Sequence, residues 1–258
     1  MDAVRLSFRA LHALREQMGK ASNSVSRLDS KTLLVGDTQL PITDLLYKIK
    51  NHPGATEMLL DNWSRTLAWV LREQEVKAPE FTNIAPFIWP LLANLAEESI
   101  KAGAVARAIL PGLDAVAVVR VSGRLLIIER MHLLQWNLSA DTIHKFAIAN
   151  VATTGCTFKI ESSASTSEAR MIRVLSEDGV NSSRIACAPV LSQMADLLWS
   201  PFLVWIPTWF SLIACRHEEA QLIGTCQAIA NSEFAQVTHA KLTTTPILVS
   251  SDGLSWVQ

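Results

Sequence analysis

Apolar positions along this chain recur with two periods, and the switches between them mark out its elements. Val4, Phe8, Leu11, Leu14 and Met18 fall at steps of three and four, which predicts an opening helix that ends near Gly19. Val25 to Leu28 and Thr32 to Val35 read as a hairpin across Asp29-Ser30-Lys31, the second strand ending at Gly36-Asp37. Ile42 to Lys50 predicts a helix that Pro53-Gly54 breaks. Leu59, Leu60, Trp63, Leu67, Val70 and Leu71 then give the next helix a continuous apolar stripe, with Trp63 in the core. Pro79, Pro86 and Pro90, set around Ile84, Phe87, Ile88 and Trp89, suit a packed, irregular connector better than a long helix.

Past a boundary placed near residue 100, the pattern turns to strands. Val105 to Leu110, Ala115 to Val121 and Arg124 to Glu129 predict an antiparallel sheet, the last two strands joined by the tight turn Ser122-Gly123. Ser139 is placed to cap a helix that carries Asp141 in its first turn and continues through Ile143, Phe146, Ala147, Asn150 and Val151. Phe158 to Glu161 and Met171 to Leu175 are strands separated by the small polar residues Ser162 to Ser167, a loop expected to be the most disordered part of the chain. A helix starting at Pro189 runs through Leu191, Met194, Leu197 and Leu198. Another carries Glu218 and Glu219 in its first turn and buries Leu222, Ile223, Cys226 and Ile229. Pro246 to Val249 and Leu254 to Val257 close as a hairpin around Asp252-Gly253. The fold class is therefore α+β: a mainly antiparallel sheet with covering helices over residues 101–258, preceded by a helix-rich region with a small hairpin over residues 1–100.

Residues Leu197 to Cys215 carry no charged side chain and hold Trp199, Trp205 and Trp209. A spanning helix needs about 20 apolar residues, but Pro201 and Pro207 would each break it. Phe202 to Ile206 and Trp209 to Ala214 read instead as two buried strands joined at Pro207-Thr208, so no membrane span is expected.

Composition narrows the function classes. The chain has 258 residues, 49% of them hydrophobic and 18% charged, which supports an extensive core without disulfides. Its net charge of -1 supplies no field for nucleic acid, and no nucleic-acid partner is expected. Met1 to Lys20 interleaves Arg5, Arg9, Arg15 and Glu16 with its apolar residues and so lacks the centre of a secretory signal, which makes a cytoplasmic location the expectation.

Chemical signatures are sparse. Cys156, Cys187, Cys215 and Cys226 form no C-x-x-C pair and read as buried free thiols. His12, His52, His132, His144, His217 and His239 are scattered, and His217-Glu218-Glu219 lacks the second histidine of a zincin helix, so no metal site is expected. There is no G-x-S-x-G elbow, dinucleotide fingerprint or phosphate loop, and no cofactor is expected. The adjacent carboxylates Glu97-Glu98, Glu177-Asp178 and Glu218-Glu219 read as solvated or helix-start groups. The most suggestive polar cluster is Asp178-Gly179-Val180-Asn181-Ser182-Ser183-Arg184. There, backbone donors and a fixed arginine could hold an anion, or the same residues could simply make a turn and a cap.

This segment belongs to an ordered set: Asp178-Gly179, Ser183-Arg184, a proline-started helix, then a strand hairpin with Ile206-Pro207. Leu40-Pro41 before Leu45-Leu46-Tyr47, Ile84-Ala85-Pro86, Ala115 to Val121, Trp136-Asn137-Leu138-Ser139 and Ala149-Asn150-Val151 precede it. Over nearly its whole length the chain resembles the YtpQ-type bacterial family, a domain of unknown function. The resemblance implies a shared fold and carries no catalytic role. The chain departs from the family pattern in two places. Asn181 stands where an acidic residue is usual, and Trp209 and Phe210 occupy the place of an Arg-Asp pair after the hairpin proline.

Without catalytic signatures, the reading favours a non-enzymatic module that binds another protein or itself. Its candidate contact surface is Trp205, Trp209 and Phe210, since aromatic patches mark interfaces. The alternative is an enzyme or binder of a small anionic ligand at Asp178, Gly179, Asn181, Ser182 and Arg184.

Overall fold

The computed structural model describes residues 3–72, 78–93, 103–162, 170–176 and 179–257. The fold is α+β, with mostly antiparallel sheets, and the chain divides into two compact units. One comprises Met1–Trp89 with Val118–Phe146 and the other Pro90–Ala117 with Ala147–Gln258.

In the first unit, helix α1 (Ala3–Met18) leads into a three-stranded antiparallel meander of β1 (Val25–Arg27), β2 (Thr32–Val35) and β3 (Thr38–Pro41). β2 ends at Gly36-Asp37 as expected, and the turn at Gly36, with φ +57°, continues the chain into β3, a strand the sequence pattern does not indicate. α1 buries Leu6, Ser7, Ala10, Leu14 and Met18. The expected stripe is therefore rotated: Val4 and Phe8 are exposed and the small residues Ser7 and Ala10 are buried, and α1 lies along helix α3 (Thr56–Leu71). Ser7 is buried without cost because its Oγ donates to the Val4 carbonyl at 2.7 Å and accepts from Arg27 at 3.2 Å. That same Arg27 guanidinium lies 4.0 Å from the centre of the exposed Phe8 ring.

Helix α2 (Thr43–Asn51) and α3 follow as expected, and the 3₁₀ turn Pro53–Ala55 lies between them. Leu59, Leu60, Trp63, Leu67 and Val70 are buried, and Trp63 Nε1 donates to Ser122 Oγ at 3.0 Å. The proline-rich connector is more regular than its sequence predicts. A short helix α4 (Phe81–Ile84) and a 3₁₀ turn run into strand β4 (Ile88–Ala93), which is buried despite containing Pro90.

Strands β5 (Ala106–Leu110), β6 (Leu113–Val121) and β7 (Arg124–Ile127) form the expected antiparallel hairpins, and the strand order is β4-β6-β5 with β7 on β6. Ser122 and Gly123 both have positive φ, 49° and 75°, as the tight turn requires. A helix the periodicity missed comes next, α5 (Arg130–Trp136). Glu129 and His132 form a reciprocal capping box at its start, and Asn137 ends it in the left-handed conformation at φ 53°. His132 is buried between Trp69 and Trp136, at centroid distances of 5.4 and 5.5 Å. Burial holds its imidazole below the usual histidine value, with the Glu129 carboxylate acting in the opposite sense. In helix α6 (Ala140–Thr153) the Ser139 Oγ accepts from the Thr142 amide at 3.2 Å, the cap that the sequence indicates.

The second unit is organised by a six-stranded antiparallel sheet in the order β13-β12-β10-β11-β9-β8. Its strands are β8 (Thr157–Ser162), β9 (Arg170–Leu175), β10 (Phe202–Trp205), β11 (Ile213–Arg216), β12 (Ile247–Ser250) and β13 (Gly253–Trp256). Helix α7 (Ala188–Leu198) starts at its proline and precedes β10; helix α8 (Ala220–Gln236) covers one sheet face. Leu222, Cys226 and Ala230 of α8 pack on Met171, Leu203, Trp205, Ile213 and Cys215, while the alternate residues Phe202 and Val204 are equally buried.

The uncharged stretch Leu197 to Cys215 is thus mostly buried and holds the two central strands β10 and β11 with the loop between them, and among the described residues no helix is long and apolar enough to cross a membrane. Its second strand begins only at Ile213, later than the expected Trp209, because residues 206–212 form a loop bonded to other parts of the unit. Of the stretch expected to be disordered, Ser162 ends β8, and residues 163–167 lie outside the described residues, as do Glu97-Glu98 and Glu177-Asp178.

Candidate functional site

The two sequence candidates in the second unit, the Gly179 to Arg184 turn and the aromatic segment after Pro207, meet in the structure. Asn181–Ala186 folds as a 3₁₀ turn whose residues Asn181 to Ile185 are buried. Its donors face the 208–210 loop. The Ser182 amide and Oγ both donate to the Trp209 carbonyl at 3.1 Å, and Asn181 Nδ2 donates to the Phe210 carbonyl at 2.7 Å. Asn181 Oδ1 in turn accepts from Ser176 Oγ, so both ends of the carboxamide are fixed.

The loop is held from three further directions. The Trp209 amide donates to the Ala240 carbonyl at 3.0 Å, and its indole Nε1 donates to the Leu92 carbonyl at 2.9 Å. The Phe210 amide donates to Thr208 Oγ1 at 3.2 Å. Ser211 Oγ donates to Glu233 of α8, which also pairs with Arg173 of β9. These contacts fix the backbone of residues 208–211, while the Phe210 side chain is left 52% exposed beside Gly179.

Arg184 is 0% exposed, and its guanidinium donates to the carbonyls of Val180 at 3.4 Å and Thr154 at 3.3 Å. Asp178 lies outside the described residues. Asn181, Ser182 and Arg184 therefore direct side-chain donors at chain carbonyls, a bracing arrangement in which an incoming anion would have to displace existing bonds, while the buried Ser183 hydroxyl has no partner among the described residues.

One residue of the expected contact surface must be corrected. Trp205 is 0% exposed and donates to Gln227 Oε1 at 2.9 Å, because it sits on the sheet face that α8 covers and has no surface to offer a partner. Trp209 is half-buried and serves mainly as an anchor for the loop. The residues that sequence reasoning missed are Ser176, Thr208, Leu92, Ala240 and Glu233. They reach the loop through backbone carbonyls or from distant elements, and only the Thr208 to Phe210 contact has a local signal, a hydroxyl two residues before the amide it accepts from.

Other chemistry is limited. Cys187, Cys215 and Cys226 are buried free thiols, and Cys156 is a half-buried one. The Cys215 thiol is pushed well up by its hydrogen bond with Cys226 and by burial, and burial likewise raises Cys187 despite nearby Arg184, so neither is poised as a nucleophile. Among the described residues no three His, Cys, Asp or Glu side chains gather as a metal site. In the first unit a cleft of about 500 Å³ is lined by Trp69, Arg65 and Arg72 among others. Arg65 there is paired with Asp61 at 2.8 Å, and Arg72 donates to the Met18 carbonyl at 2.7 Å, so both cations serve the scaffold. Neither a family model, nor a curated protein, nor a solved structure matches the chain.

Proposed function

We propose that this chain is a protein-binding module without a catalytic role, and that Phe210 is the anchor of its contact. The observation that carries the reading is the contrast within one residue: the backbone of Phe210 is bonded at both its amide and its carbonyl, while its ring is 52% exposed. An exposed aromatic on a mobile loop would lose about 0.5–1.5 kcal/mol of affinity to ordering. A loop already fixed by Asn181, Ser182 and Glu233 has met the backbone part of the ordering on folding. Aromatic side chains, Phe included, are enriched at protein interfaces.

Phe210→Ala is the direct test. Because the ring is half exposed, the variant keeps its fold, checked by circular dichroism, and loses the protein or second copy that purifies with the wild type. Trp199→Ala is the control. Trp199 is 59% exposed over Arg216, at the other end of the β10–β11 pair, and its removal leaves the complex intact. Equal binding by wild type and Phe210→Ala overturns the proposal. The second reading, a small anionic ligand at Gly179, Asn181, Ser182 and Arg184, requires the bracing bonds to open. A rise in melting temperature with inorganic phosphate, absent in Ser182→Ala, would favour it instead.

A further inference from the structure

The cleft of the first unit is walled by α3, where Asp61, Arg65 and Trp69 recur at steps of four on one face and Arg72 stands at the helix end, and by Pro79 and Glu80 just ahead of α4. At about 500 Å³ it has the size of a small-molecule site. Among the described residues, three groups in its wall have bonding capacity that the fold does not use. Trp69 is 3% exposed, and its ring is set against His132 and Trp136 at centroid distances of 5.4 and 6.3 Å. A buried indole ordinarily finds an acceptor, and Trp63, Trp136, Trp205, Trp209 and Trp256 all do. The Trp69 N–H makes no such bond, yet its nitrogen is not sealed from solvent, and the cleft is the opening that Trp69 lines. Arg72 is fixed through Nη2, which donates to the carbonyls of Gln17 at 3.3 Å and Met18 at 2.7 Å at the end of α1. Its Nε and Nη1 are left over, and its charge meets no carboxylate. Glu80, at the exposed rim, pairs with no cation.

We propose that this cleft binds a free α-amino acid, its carboxylate taken by Arg72 and the Trp69 indole and its ammonium by Glu80. Trp69 and Arg72 are three residues apart on a helix and so are neighbours, which lets one carboxylate accept from both. Arg65 gives Nε to both oxygens of Asp61, at 2.8 and 2.9 Å, so that pair is internally neutral. What remains in the wall is one cation without an anion and one carboxylate without a cation. A simple anion would leave Glu80 unanswered, and a simple cation would leave Arg72 and the indole donor unanswered. A ligand that carries both charges satisfies all three groups at once, without displacing any bond of the scaffold.

The test is nuclear magnetic resonance of the whole chain labelled with ¹⁵N-tryptophan, in which the Trp69 indole signal, one of eight, is identified by its loss in Trp69→Phe. Each of the twenty common L-amino acids is titrated to about 10 mM. At least one is expected to move the Trp69 signal to saturation. The matching 2-hydroxy acid, which keeps the carboxylate and lacks the ammonium, is expected to bind the wild type up to about fivefold more weakly, as the loss of one exposed ion pair implies. In Glu80→Gln, a change at an exposed and unpaired position that leaves the fold in place, the two ligands bind alike. Arg72→Lys keeps a charge and a donor for the Met18 carbonyl but lacks the spare nitrogens, and its affinity for the amino acid falls about tenfold. A Trp69 signal that none of the twenty moves, a hydroxy acid that binds the wild type as well as the amino acid does, or an affinity that Arg72→Lys leaves unchanged overturns the proposal.

Discussion

Asn181→Ala tests whether the 179–184 turn braces the Phe210 loop. The substitution removes the 2.7 Å bond from Nδ2 to the Phe210 carbonyl and the bond that Oδ1 accepts from the half-buried Ser176. A neutral hydrogen bond contributes about 0.5–1.5 kcal/mol net, and an abandoned buried partner costs about 1–3 kcal/mol. Phe210 is an exposed residue and Ser176 a half-buried one, so water moderates the second cost. The expected loss is about 1.5 kcal/mol, or roughly 3–6 °C in melting temperature for a chain of this size. Urea unfolding followed by tryptophan fluorescence measures the global loss, and hydrogen exchange measures the local one. If the brace is local, the amides of Ser182, Trp209 and Phe210 exchange about tenfold faster, while those of β10 and β11 follow only the global change. A loss below about 0.3 kcal/mol with unchanged loop exchange would refute the reasoning, because the bond would then contribute nothing beyond what water supplies.

Two further perturbations probe the first unit. Trp63→Phe deletes the indole bond to the buried Ser122 hydroxyl and leaves a void, for an expected loss of about 2 kcal/mol in chemical unfolding, and a loss below about 0.5 kcal/mol would contradict the packing described. His132 has a folded-state value below its unfolded value of about 6.5, so the unfolded chain binds the proton first. Its contribution to stability is complete above about 6.5 and is lost as pH falls through that value towards the folded one. His132→Gln keeps an N3 acceptor for the capping box and removes this pH-dependent part, as parallel unfolding curves at pH 7.5 and 5.5 would reveal.

Local chemistry was legible in the sequence where it decides structure alone. The Ser122-Gly123 turn, the Ser139 cap and the Pro189 helix start stand where their residue types demand. What escaped depends on partners. β4 forms through Pro90 because the sheet supplies a place that local propensity denies, and α5 is closed by a histidine at N3 in place of the usual Glu or Gln. α1 turns Ala10 and Ser7 inward, Ser7 being satisfied there by the Val4 carbonyl and by Arg27 of β1, partners that the spacing of apolar residues does not reveal. At the candidate site, the polar turn and the aromatic pair were each visible. Their union was not, since Ser182 and Trp209 are 27 residues apart and are joined through a backbone carbonyl that any residue would supply.

The central claim is that Phe210 anchors a protein contact. Native mass spectrometry of gently purified, untagged wild type and Phe210→Ala tests it most directly. The account predicts a species heavier than the 28.4 kDa chain by the mass of a second protein or a second copy in the wild type, and the bare chain in the variant. Identical spectra, whether both complexed or both monomeric, would contradict it.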